Sequence, residues 1–172
     1  MRRTALLFLA ASFALPACQA DDDEAAGPTG TYEVQSHTRT DMTCEGAGEA
    51  VQGETELFAL ELDNFFGATV LGWHDCTSAT DCEEESDLFR SFVEEDGRWV
   101  LRSTFASGIE SCSGSIEEGS TVQTDDGVRI EIRSYSGTID LEAGEECDTD
   151  LVDAHFGELD CTTIEVIEAR AV

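Results

Sequence analysis

Three kinds of side chain in this sequence could do chemistry: seven cysteines, three histidines and 38 carboxylates. Six of the cysteines, Cys44, Cys76, Cys82, Cys112, Cys147 and Cys161, are spread through the body of the chain. Zinc would want Cys-x₂₋₄-Cys pairs or histidine partners, and no Cys-x-x-Cys occurs. Their even number supports paired disulfides instead. His37 and His74 each end a strand-like run and could meet an acid as a general base or a metal pair. They read more simply as strand-end histidines, and His155 as a packed residue on an apolar helix face. Asp148, Asp150 and Asp153, with Glu145 or Glu146, could gather calcium, but the spacing lacks the glycine of an EF-hand. Acids at a helix N-terminus favour the macrodipole without any ion. No Gly-x-Ser-x-Gly, His-Glu-x-x-His or phosphate-binding glycine loop is present. Carboxylate pairs for glycoside hydrolysis carry no information among so many acids. Trp73, Trp99, Phe58, Phe105 and Tyr135 could line a cavity, with Trp73, Trp99, Phe105 and Tyr135 the candidate ligand contacts. No catalytic residue, metal or cofactor is expected.

The seventh cysteine, Cys18, has a different setting. Met1-Arg2-Arg3 precedes a run from Ala5 to Leu15 that only Ser12 interrupts. A positive start followed by a short apolar stretch forms a secretory signal. The stretch falls short of the roughly 20 apolar residues a membrane span needs. It ends Leu15-Pro16-Ala17-Cys18, which resembles the bacterial lipobox. That resemblance implies signal removal, diacylglycerol on the Cys18 thiol and acylation of the new amino group. An ordinary signal peptide cut near Ala17 or Ala20 is the alternative. Gln19, where an Asp retains some bacterial lipoproteins at the inner membrane, leans toward the outer membrane or cell surface. Residues 1–17 are thus the signal, 18–29 the lipidated cysteine and an acidic tether (Asp21-Asp22-Asp23-Glu24), and 30–172 one domain.

The formal net charge is −29, with no lysine and one asparagine, Asn64. Such a charge keeps a protein soluble and repels nucleic acid and anionic lipid. It leaves a basic partner or cations open, though a solvated acidic surface accounts for it.

The elements that must position these groups read as strands. Val128, Ile130 and Ile132 alternate with Arg129, Glu131 and Arg133. Trp99, Leu101 and Phe105 share one face, as do Phe58, Leu60 and Leu62. Near the end, Ile164 and Val166 alternate, then Ile167, Ala169 and Ala171, a slip that predicts a β-bulge. Eight strands are expected, near 31–38, 56–62, 66–75, 87–95, 98–106, 113–125, 128–140 and 162–171, with a break at Gly119 in the sixth. Turns are expected at Asp63-Asn64, Asp96-Gly97 and Asp126-Gly127. Every cysteine of the body then lies at one end and every tight turn at the other. Antiparallel strands in this order can close an up-and-down barrel and remove exposed edges, with an open sandwich as the alternative. Leu151, Val152, His155, Phe156 and Leu159 fall at helical spacing, capped by Asp148 or Thr149 and ended at Gly157. This helix, before the last strand, is a candidate lid. Cys76–Cys82 is a local pair. Cys147–Cys161 would staple the helix base and leave Cys44–Cys112; Cys44–Cys161 with Cys112–Cys147 is the alternative, since the first strand's end neighbours the last strand's start.

This meander resembles the lipocalin group, with Gly30-Thr31-Tyr32 where lipocalins carry Gly-x-Trp and the helix before the last strand rather than after it. Gly30-Thr-Tyr-Glu-Val34 and Ser78-Ala-Thr-Asp-Cys82 also resemble small secreted bacterial lipoproteins. The expected function is a non-enzymatic binding or envelope protein held on the membrane by Cys18. A carrier of a small apolar ligand is the alternative, and a hydrolytic enzyme stands last.

Overall fold

The computed structural model describes residues 27–41, 44–46, 48–51 and 56–172. The expected signal segment, Cys18 and the acidic run lie outside the described residues. Among the described residues the elements are β1 (Gly30–Arg39), β2 (Glu49–Ala50), β3 (Leu57–Phe65), β4 (Ala68–Ser78), β5 (Asp81–Cys82), β6 (Asp87–Glu95), β7 (Arg98–Ser107), β8 (Ser111–Gln123), β9 (Gly127–Asp140), α1 (Thr149–Ala154) and β10 (Asp160–Ala171). Eight long strands pair antiparallel in the order β1-β3-β4-β6-β7-β8-β9-β10, and β10 returns to β1. The seam runs from Tyr32↔Ala171 to Arg39↔Glu165. The barrel is therefore closed, as the eight-strand meander predicts, with β2 and β5 as short additions.

The turns differ in detail from expectation. Asp96 and Gly97 both have positive φ, the geometry of a two-residue hairpin turn. The β3–β4 turn is not Asp63-Asn64 but Phe66-Gly67, with φ 48° and 88°. Asn64 stays in the strand and its side-chain oxygen accepts from the Gly67 amide at 3.1 Å. Gly127 makes no positive-φ turn. It begins β9, and a Cβ there would come within 1.9 Å of the Ala169 carbonyl, so its role is close strand approach. Gly119 does not break β8; it sits inside, between Leu101 and Ile132.

Two separate cores use opposite faces of the same strands. The lower lumen is filled by Tyr32, Phe58, Leu60, Leu71, Trp73, Phe92, Trp99, Leu101, Val128, Ile130, Ile132, Ile167 and Ala169. The second core lies on the outer wall, where Cys112, Ile116 and Ile139 pack with Val152 and Leu159. α1 is consequently no lid. It lies against β7 and β8 from outside, with Val152 over Gly114, where a Cβ would come within 2.7 Å of a Val152 methyl. Asp148 caps its start by accepting from the Leu151 amide at 2.9 Å. The helix ends before Gly157, which sits in a following 3₁₀ turn, Phe156–Glu158.

Among the described residues the disulfides are Cys44–Cys161, Cys76–Cys82 and Cys112–Cys147. The Cys147–Cys161 and Cys44–Cys112 pairs are thus excluded. The outer-wall position of α1 explains why: it carries Cys147 beside the start of β8, while Cys161 opens β10 at the seam with β1.

Candidate binding site in the barrel mouth

The position that most shapes the lumen is Glu165. β10 keeps a regular alternation from Thr163 to Arg170, and Glu165, Ile167 and Ala169 are its buried residues. The expected slip at 166–167 does not occur; the irregularity on this seam lies in β1, between Val34 and Ser36. Ile164 and Val166 face outward, and a carboxylate takes the inner position above Ile167.

Glu165 is met from the adjacent β1 and from β6, which is not adjacent to β10. Its Oε1 accepts from His37 Nε2 at 2.8 Å and its Oε2 from Arg39 Nη2 at 2.6 Å. Arg90, from β6, brings Nη2 to 3.6 Å of Oε1. Burial raises the carboxyl pKa, but the Arg39 hydrogen bond and charge, with the charges of Arg90 and His37, outweigh it and hold Glu165 below the ordinary carboxylate range. The Arg90 guanidinium also lies 5.1 Å from the Trp73 ring centroid, within cation–π reach. The Trp73 indole stacks on Phe58 at 3.7 Å and donates to Asp75 at 2.8 Å. Trp73 thus joins the apolar floor to the charged layer. His37 and Glu165 side chains are only 8% and 10% exposed, while Arg90 and Arg39 reach 27% and 37%. The guanidiniums therefore form the solvent side of the cluster.

Register places hydroxyls around it. Ser103 opposes Glu117, Ser115 opposes Phe105 and Ser136, and Ser134 opposes Thr163, all on the face of Leu101 and Ile132. Ser103, Ser115, Ser134, Ser136 and Thr163 are half-buried. Apolar floor and polar, water-facing upper wall divide the lumen into two storeys.

Of the candidate ligand contacts, the structure brings Trp73 and Trp99 into the lumen. Phe105 stands at the upper rim, 62% exposed. Tyr135 lies on the outer wall, edge-on to Phe156 at 4.8 Å. The two histidines do not converge. His74 is on the outside of β4, buried beneath the segment after β5, and bonds the Glu83 carbonyl at 2.8 Å and Asp63 at 3.1 Å. It is therefore buried within β4, which runs on to Ser78, rather than a strand-end histidine. His155 pairs with Glu158 at 3.0 Å, half-exposed. Asp153 bonds Arg102 at 3.1 Å and Thr104 at 2.9 Å, tying α1 to β7 rather than facing Asp148. Among the described residues no three metal-ligating side chains gather. Glu165, Arg39, Arg90 and Asp75 were missed by sequence reasoning; the available signal was the Glu165, Ile167, Ala169 alternation.

Comparison with protein-family models, curated proteins and solved structures finds no match for this chain. The barrel agrees with the lipocalin-like resemblance at the level of strand number and closure.

Proposed function

We propose that this chain is an exported lipoprotein, anchored through lipid on Cys18, whose barrel mouth binds a small polar ligand. The observation that carries the binding half is the Glu165 cluster: two guanidiniums and a histidine inside a barrel whose upper wall is hydroxylated and open to water. Small-molecule sites combine shape with a few convergent polar groups. Side chains fill the lower lumen, so the apolar-carrier alternative draws no support from it. The anchor half rests on Leu15 to Cys18, the export signal and an even cysteine set stapled in disulfides, which an oxidising compartment permits. The cell envelope is the location that follows, with an outer-membrane or cell-surface placement favoured by Gln19.

Trp73 offers the test, because its ring carries Arg90. Titration of the exported chain with small carboxylates and monosaccharides is expected to change Trp73 emission saturably. Arg90→Gln and Arg39→Gln should weaken that response by about tenfold, the loss of one charged hydrogen bond. A response from fatty acids alone, unaffected by either substitution, would contradict the polar-mouth reading.

A further inference from the structure

The end of the barrel away from the mouth carries an unusual pair of side chains. Phe66 is 97% exposed and Phe65 43%, and their rings meet edge-on at 4.7 Å. Single exposed apolar residues are ordinary. Phe66 differs because it also holds φ 48° at a hairpin position where Asn or Gly is the usual occupant. Exposure and backbone strain fall on one residue, and neither helps the barrel. Gly30 pairs with Leu60, and β3 runs five residues past that point to Phe65. The tip therefore extends about 16 Å beyond Leu60 along the strand.

The chain leaves the barrel at this same end. Gly27 lies against Trp99, close enough that a Cβ would come 2.8 Å from the indole nitrogen. Tyr32 donates to the Pro28 carbonyl at 2.9 Å. Gly27 lies only nine positions after Cys18. A chain of that length spans about 30 Å at most. Phe89, Phe105 and Ile109 are also exposed, but they lie away from the chain's exit.

We infer that Phe65 and Phe66 seat the barrel on the bilayer that carries the Cys18 lipid, inserting into its interfacial layer so that the mouth faces away. The inference rests on the lipid-anchor reading. Aromatic rings are favoured at that depth, where an apolar face meets headgroups. Asp63, Glu94, Glu95 and Asp96 flank the tip in sequence and in the neighbouring hairpin, so zwitterionic lipid should accept it better than anionic lipid.

The test places the full chain, exported and processed by a bacterial host, in phosphatidylcholine vesicles with brominated acyl chains. Phe66→Trp puts an indole on the tip, and Ile109→Trp puts one at the mouth. Native Trp73 and Trp99 are buried and supply a constant background. The expected result is strong quenching of the indole at position 66 and none at position 109, with less quenching in phosphatidylglycerol. If the chain is acylated and vesicle-bound but position 66 is unquenched, the seating inference falls and the anchor stands. If mass spectrometry shows Cys18 unacylated and the chain stays in solution, the anchor reading falls and takes the inference with it. A shielded tip in a particle of doubled protein mass would assign the surface to a second copy and overturn the inference.

Discussion

Glu165 occupies an inner-wall position where a barrel normally places Val or Ile. A carboxylate there is tolerated because Arg39 and His37 bond it and Arg90 stands nearby. Its folded pKa lies below its unfolded value near 4.3, so its stabilising contribution is complete above that pH and is lost as pH falls through the lower, folded value. Glu131 acts in the same direction, lowered by the Arg133 hydrogen bond against burial and with help from Arg129. Glu165→Gln should therefore cost about 2 kcal/mol at neutral pH and flatten the acid limb of stability, read by urea unfolding across pH 3 to 7. An unchanged acid limb would show that the cluster contributes nothing to folding. Phe66→Gly should instead raise stability by about 1 kcal/mol, because the left-handed strain is relieved at the cost of an exposed edge-on contact with Phe65. Glu165 illustrates why the mouth was illegible in the sequence. Alternation rules assign a glutamate to solvent, so Ile164 and Val166 read as one apolar face and a bulge is needed to continue it through Ile167 and Ala169. The same rule hid Arg39 and Arg90.

At the scale of elements, strand positions and α1 could be read because alternation and helical spacing are local. What could not be read is that apolar residues change faces partway along β9. Val128, Ile130 and Ile132 face the lumen, whereas Tyr135 and Ile139 face outward beneath α1 and the segment that follows it. A period-two pattern does not say which of two partners a face will meet, and α1 found the outer wall instead of the mouth. Gly114 is the residue that permits this. Gly114→Val would drive side-chain atoms into Val152 and should destabilise the protein by about 1–3 kcal/mol, measured by thermal unfolding with all disulfides intact. The tip at Phe66-Gly67 was displaced in the sequence reading for a related reason. Asn64 is a good turn residue, but it serves by accepting the Gly67 amide from the strand end.

The described residues form a barrel that closes where β10 meets β1 and is stapled around its mouth. Cys44–Cys161 joins the loop after β1 to the start of β10, and Glu165 bridges the same two strands below it. The cysteines at one end, and the β3–β4, β6–β7 and β8–β9 turns at the other, were legible from strand order alone, but the tight β4–β5 turn at 79–80 lies between Cys76 and Cys82 at the cysteine end. The pairing was not legible, because it depends on where α1 packs. A formal charge of −29 on this chain is self-repelling, so closure must be held locally, and the disulfides and cluster do this where the strands end. The central claim is that this barrel is an exported lipoprotein tethered at Cys18. Intact and peptide mass spectrometry of the chain purified from bacterial membranes tests it most directly. The account predicts a chain beginning at an acylated Cys18, with Cys44–Cys161, Cys76–Cys82 and Cys112–Cys147 oxidised. An unmodified Cys18, a start elsewhere, or free thiols among those six would contradict it.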